Sequence, residues 1–312
     1  MLGLGGGKVM SQIWVISETQ TALLELVAHA KGVAQGDSIV AWAFSTEAAQ
    51  AVSKQGADQV IELTGAKRPE DYVPTMIDRA GAETPVAILW GSTKRSKEMA
   101  ARLAAALDVP LINEAFNLQR NGQSFEAERY IYGGLCVAHE VIDSAPFMAV
   151  MVAKTAEALA EGAACSIETL AASESKVQLI ELRPNQSTSN LGDANVVVCI
   201  GRGVANQEDI ELARRLTSKL GGELGCTRPV AEDLHWMAEE NYIGISGQVV
   251  KPTVYIGIGV SGQIQHVSGI RDSKTIIAIE KNENAPIIES SDYALVGDLY
   301  QILPALLNAL GA

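Results

Sequence analysis

Three short motifs in the last part of the chain carry side chains suited to holding an anionic, heterocyclic ligand. Gly201-Arg202-Gly203 directly follows the apolar run VVVCI and precedes a helical pattern. A parallel α/β sheet offers backbone N–H groups and a helix N-terminus to phosphate at such a junction. The triplet lacks the third glycine of a dinucleotide fingerprint, so alone it is equally a plain tight turn. Arg202 adds a cation at the strand end, well placed for a pyrophosphate, and Gly203 keeps the backbone open. The second motif, GCTRP, ends the next strand pattern, where Thr227 offers a hydroxyl and Arg228 a planar cation. A single loop arginine is ordinarily just solvated. Two at successive strand ends of one domain favour a site. In the third, GIGVSGQIQH, an apolar strand runs into Ser261-Gly262 and a helix start carrying Gln263, Ile264, Gln265 and His266. Ser261 is a good N-cap for that helix, and the N–H groups after it can face an anion. Glutamine and histidine then supply hydrogen bonds to a heterocycle edge.

Two further positions belong with these. YIGISG sets Ser246 between Gly244 and Gly247, which permit close approach. Asp298 precedes the last helical pattern, where N-capping is a sufficient explanation without a ligand. The sequence has no nucleophile elbow, HExxH, Walker lysine in context or spaced carboxylate dyad. Its polar residues gather at strand ends, as contacts to a bound cofactor do.

The elements that must position them alternate. Strand patterns at 13–17, 38–44, 60–63 and 86–90 interleave with helical ones at 21–34, 46–54, 72–80 and 99–107. That spacing predicts an α/β fold with a mostly parallel sheet covered on both faces. From 111 to 152 the pattern is strand-rich, with Tyr132-Gly133-Gly134 marking a bend. Small and acidic residues over 155–173 and the polar cluster PNQSTSN at 184–190 read as linker, with a strand at 177–182 returning to the first domain. The alternation then restarts: strands at 196–200, 223–227, 254–260 and 275–279, helices at 207–220 and 299–310, and a turn at Asn284-Ala285-Pro286 before a short strand. The restart predicts two domains, 11–188 and 189–312, behind a glycine-rich N-terminal extension or leader at 1–10 that has no strand before it and so forms no phosphate loop.

With 312 residues, 47% hydrophobic and 20% charged, the chain reads as globular, and both cores have enough material. A formal net charge of -13 repels nucleic acid and anionic lipid surfaces, which excludes them as general partners. Cys136, Cys165, Cys199 and Cys226 form no CxxC pair, which speaks against a metal site and fits a reducing cytoplasm. No apolar run reaches the length of a membrane-inserted helix.

Taken in order, GRG, GCTRPVAE, YIGISG, GVSGQIQH, KNENAPI and SDYALVGD resemble the C-terminal FAD-binding domain of electron-transfer flavoprotein alpha subunits. SGQIQH with IGISG resembles the bacterial Fix-type (FixB-like) branch, and Thr93–Leu107 with YGGL extends a weaker resemblance into the first half. The resemblance implies two Rossmann-like domains, the C-terminal one binding FAD. It also implies a heterodimer with a beta subunit, and electrons passed singly from a flavin dehydrogenase to an acceptor such as a quinone oxidoreductase. On the matching positions, Arg202 is the pyrophosphate-side arginine, Thr227 stands for a serine, and Arg228 lies against the isoalloxazine. Ser246 keeps the hydroxyl of a threonine that bonds flavin N5, with Gly247 beside it. Ser261, Gly262, Gln263, Ile264, Gln265 and His266 surround the flavin, with His266 near O2, and Asp298 is an adenosine-side contact. Arg228, Ser246 and His266 are thus the flavin-tuning residues. Two positions depart: Ile245 replaces a glutamine, so one polar flavin contact is absent, and Glu280 stands where many relatives have asparagine, so either it turns away from a pyrophosphate or that contact is lost. Two other readings predict different behaviour. A self-sufficient flavin or nicotinamide oxidoreductase would turn over substrate alone, and a nucleotide-binding regulatory module would be colourless.

Overall fold

The computed structural model describes residues 11–66, 68–152, 156–172, 175, 177–181 and 190–311. The chain divides into two compact units, Met1–Leu182 and Arg183–Ala312. The expected extension at 1–10, the polar cluster at 184–189 and the 188/189 boundary lie outside the described residues.

In the first unit the order is β1 (Gln12–Ser17), α1 (Gln20–Val33), β2 (Ser38–Ala43), α2 (Thr46–Ser53), β3 (Gln59–Thr64), α3 (Val73–Glu83), β4 (Ala87–Gly91), α4 (Lys94–Leu107), β5 (Leu111–Asn121), β6 (Ser124–Ile131), β7 (Cys136–Ile142), β8 (Phe147–Met151) and β9 (Ser166–Ala171). These strands form one sheet, β7-β6-β5-β8-β4-β1-β2-β3-β9, parallel except where β6 meets β5 and β7. Successive side chains point to opposite faces of a strand. Ile13 and Val15 therefore pack with Leu23, Val27 and Ala49 on one side, and Trp14 and Ile16 with Met76, Met99 and Trp42 on the other. Continuous apolar runs are what a doubly covered parallel sheet requires.

One expectation fails here. Residues 177–181 form no strand, and Leu182 lies outside the described residues. The strand that returns is β9, inside the stretch read as linker, paired in parallel with β3. Its small, polar composition hid it, because β9 is an exposed edge strand and needs only alternate contacts. Arg79 fastens it by donating from both terminal nitrogens to Glu168 at 2.7 and 2.8 Å.

The second unit runs β10 (Val196–Ile200), α5 (Ile210–Lys219), β11 (Glu223–Cys226), β12 (Val254–Ile258), α6 (Ile264–Val267), β13 (Ile276–Glu280), α7 (Pro286–Glu289), β14 (Tyr293–Val296) and α8 (Leu299–Ala309). Asn284-Ala285-Pro286 thus opens a helical turn, and the short strand follows it. All five strands are parallel, in the order β11-β10-β12-β13-β14. Val198, Ile200, Ile256 and Ile258 pack under α5 and α8 with Leu216 and Leu303. Val197, Cys199 and Tyr255 face the opposite side, with Ile243, Val250 and Ile287. The strand order reverses between β10 and β12, and a doubly wound sheet binds ligands at that point, outside the carboxyl ends of its strands.

Candidate functional site

A cavity of about 580 Å³ opens at that reversal. It is lined by the exits of β10 (Gly201, Arg202, Gly203), β11 (Thr227, Arg228, Pro229), β12 (Gly259 to Gln263) and β13 (Glu280, Lys281), with Tyr242, Ile243, Ile245, Ser246, Gln265 and His266 closing the side. Its volume falls in the usual range of cofactor sites. The exits of β10 and β12 meet backbone to backbone: Gly203 N–H donates to the Gly259 carbonyl at 2.9 Å. A Cβ on Gly203 would lie 2.5 Å from Gly259 Cα, so the absence of a side chain there serves close approach.

One part of the cavity is built for an anion. The backbone N–H groups of Ser261, Gly262, Gln263, Ile264 and Gln265 donate to no protein acceptor among the described residues. The Arg202 guanidinium and the Lys281 ammonium line the same cavity, and neither has an acidic partner among the described residues. The Arg202 loop is braced from below: Tyr300 Oη accepts from Ala205 N–H at 2.9 Å and donates to Asp209 at 2.7 Å. Glu280 turns into its own loop, where its carboxylate accepts from Asn282 N–H at 3.1 Å. The residue still lines the cavity, so this loop contact engages the carboxylate without taking its charge away from the site.

Hydroxyl, amide and aromatic groups line the rest. Tyr242 Oη and Ser246 Oγ are 2.9 Å apart. The Gln263 and Gln265 amides and the Thr227 hydroxyl have no partner among the described residues. Arg228 is exposed and donates from Nε to Glu232 at 2.6 Å, so its charge reaches the cavity partly neutralised, and that carboxylate raises its pKa.

His266 reaches the cavity but not as a cation. Its Nδ1–H donates to the Ile243 carbonyl at 3.0 Å, which leaves Nε2 to accept from Tyr255 Oη–H at 2.7 Å. Burial lowers its pKa to about 4, outweighing the carbonyl that favours the charged form. Both ring nitrogens are committed within the protein, so what His266, expected near flavin O2, offers the cavity is a neutral ring. The depressed pKa carries a sign. Unfolded histidine titrates near 6.5, so between about pH 6.5 and 4 the unfolded chain takes up the proton first. Stability from this group is complete above about 6.5 and lost toward 4, on the order of 3 kcal/mol in the second unit. Hydrogen exchange of β10 and β12 at pH 7 and pH 4.5 should show it, and His266→Gln should flatten the loss; an equal loss in the variant would remove His266 as its source.

Arg202, Gly203, Thr227, Arg228, Ser246, Ser261, Gly262, Gln263, Gln265 and His266, all expected from sequence, line this one cavity. Gly247, Ile264 and Asp298 do not. Gly247 packs against Tyr242, Ile264 points outward from α6, and Asp298 caps α8 by accepting from Tyr300 N–H at 2.9 Å. Ser261 is not the N-cap of α6; Gln263 takes that place, and the Ser261 carbonyl accepts from Ile287 N–H instead. Sequence reasoning missed Tyr242 and Lys281. Lys281 carried a readable signal, a cation directly after a strand of the same sheet. Tyr242 carried none, since its role depends on how its loop folds.

Comparison with known proteins decides the family. The electron transfer flavoprotein FAD-binding domain family matches residues 190–271, and the electron transfer flavoprotein domain family matches 13–175. Protein FixB of Salmonella typhimurium strain LT2 is 35% identical over 312 residues, covering 96% of this chain and 98% of the relative. Protein FixB of Escherichia coli O139:H28 is 36% identical over 313 residues, with the same coverage of both chains. The chain belongs to the electron-transfer flavoprotein alpha-subunit family, in its FixB-like branch. Its cofactor is FAD, and its role is that of an electron-transfer flavoprotein.

The cavity suits that cofactor. Free N–H groups of the 261–265 loop with Arg202 and Lys281 match a pyrophosphate, and Ser246, Gln263 and Gln265 match the polar edge of an isoalloxazine. Ile243, Ile245, Val260 and Pro229 supply apolar surface for its faces. In the first unit the equivalent sheet reversal, beside β1 and β4, is bridged by a carboxylate. Glu18 accepts from the Thr93 hydroxyl and, at 2.5 Å, from the Ser96 hydroxyl at the start of α4. No described helix is long and apolar enough to cross a membrane, and no metal-binding cluster occurs among the described residues.

Proposed function

We propose that this chain is the FAD-binding alpha subunit of a heterodimeric electron-transfer flavoprotein. With a beta subunit it relays single electrons from a flavin dehydrogenase or other donor to a quinone oxidoreductase or other acceptor. The observation that carries this reading is the makeup of the cavity: it combines anion-binding groups with neutral hydrogen-bonding side chains, and its histidine is locked at both ring nitrogens. Here the side chains bind, orient and shield. When bound, FAD supplies an isoalloxazine that accepts and donates electrons one at a time. Arg202, Lys281 and the 261–265 backbone hold its diphosphate, while Ser246 and the two glutamines orient the ring. Arg228 keeps a positive charge near the ring, moderated by Glu232. The four free cysteines favour a reducing, cytoplasmic setting.

The test is stepwise reduction of the purified chain, alone and co-expressed with a candidate beta subunit, followed by visible absorption. A flavin spectrum that reduces in two separable one-electron steps supports the relay. A protein that stays colourless after added FAD, or substrate turnover by the chain alone, overturns it.

A further inference from the structure

We infer that Tyr242 is a positioning residue for the cofactor ring, acting through the Ser246 hydroxyl; this rests on the reading of the cavity as an FAD site. Tyr242 is only 6% exposed, and its hydroxyl has one protein partner among the described residues, Ser246 Oγ at 2.9 Å. A nearly buried phenol must place its proton on an acceptor. A phenolic O–H is far more acidic than an alkyl hydroxyl, so Tyr242 donates and Ser246 accepts. That leaves the Ser246 proton directed away from Tyr242, into the cavity both residues line. A serine hydroxyl otherwise rotates freely and gains or loses a hydrogen bond as it turns. Here the rotation that points its proton at Tyr242 is closed before any ligand arrives.

The loop is shaped to hold this pair. Gln248 N–H donates to the Tyr242 carbonyl at 2.8 Å, and Gly247 N–H to the Gly244 carbonyl at 3.0 Å, which folds 244–248 around the phenol. A Cβ on Gly247 would stand 2.4 Å from the Tyr242 carbonyl oxygen and 2.7 Å from its ring. Ile243 N–H and Ile245 N–H anchor the same segment to the Cys226 and Gln265 carbonyls, both at 2.9 Å. The glycine after Ser246 thus serves the tyrosine and, through it, the serine. A hydroxyl donating to the isoalloxazine favours the ring as it gains negative charge on reduction, so losing it lowers the midpoint potential.

The test is a double-mutant cycle in the full, FAD-loaded chain with Tyr242→Phe, Ser246→Ala and the pair. FAD affinity, the visible spectrum and the first-electron midpoint potential are the readouts. Tyr242→Phe should weaken FAD binding and shift the one-electron equilibrium each by about 3- to 10-fold, the scale of one neutral hydrogen bond. Ser246→Ala should do the same, and the double variant should match Ser246→Ala alone. Ser246→Thr, which keeps the hydroxyl, should restore the wild-type spectrum. Multiplying effects in the double variant, or a silent Tyr242→Phe beside an active Ser246→Ala, would overturn the inference while leaving the FAD site standing. A wild-type chain without flavin would instead refute the site itself. Unfolding midpoints of the variants separate a lost hydrogen bond from a lost fold.

Discussion

Replacing Arg202 by alanine should raise the FAD dissociation constant about 10- to 100-fold and leave the unfolding midpoint of the second unit unchanged. The two halves of that result have separate causes. Arg202 is exposed and has no acidic partner among the described residues, so its removal strands no buried group. Its loss on binding is a charge-assisted hydrogen bond to phosphate, worth roughly 1.5–3 kcal/mol. Arg202→Lys keeps the charge but not the planar fork, and should recover only part of the affinity. Raising the ionic strength should weaken wild-type binding more than that of Arg202→Ala, since screening acts on the charge that the variant lacks. Equilibrium dialysis against FAD at two salt concentrations measures all of this. Affinity within twofold of wild type would take Arg202 out of the site.

Gly262→Ala should act in the opposite way, through the fold. Gly262 has φ +77°, a conformation that favours glycine, and a Cβ there would lie 2.3 Å from the Ile287 backbone nitrogen. Neither a rotamer change nor a side-chain shift relieves contact with backbone. The 261–265 loop must move, and Ile287 N–H, which donates to the Ser261 carbonyl at 3.1 Å, must move with it. Overpacking and left-handed strain together should cost about 2–4 kcal/mol, lowering the unfolding midpoint of the second unit. FAD should be lost as well, because the free N–H groups sit on the loop that must move. Thermal unfolding with flavin release detects both. An alanine variant that keeps its midpoint and its yellow colour would show that the loop tolerates the side chain.

The contrast between these two residues marks the limit of sequence reading. Arg202 was legible because chemistry at a strand end can be read locally: the apolar run VVVCI forecasts the strand, and a cation directly after it points at the ligand end of the sheet. The same local logic found Thr227, Arg228 and the 261–266 segment, and the cavity brings all of these but Ile264 together. It failed where composition misleads, as at β9, whose edge position tolerates small polar residues. It failed also where a side chain's charge depends on partners that only the fold brings to it. His266 is neutral because it is buried, with Ile243 and Tyr255 on its two nitrogens, and Arg228 is moderated by Glu232.

By itself, then, the sequence determined the alternation of strands and helices, its restart in the second half, the family, the cofactor and the cation placed for phosphate. The alternation and the cation rest on periodicity and residue types in short order, and the family and cofactor on the resemblance of those motifs; a chain displays all of this without folding. The tertiary structure alone decided the strand order that puts β10 beside β12, the contact of Glu280 with its own loop, the protonation of His266 and the pairing of Tyr242 with Ser246. Each of these depends on which groups meet after the sheet closes. Burial and hydrogen-bond partners, which set charge and proton direction, do not exist until then.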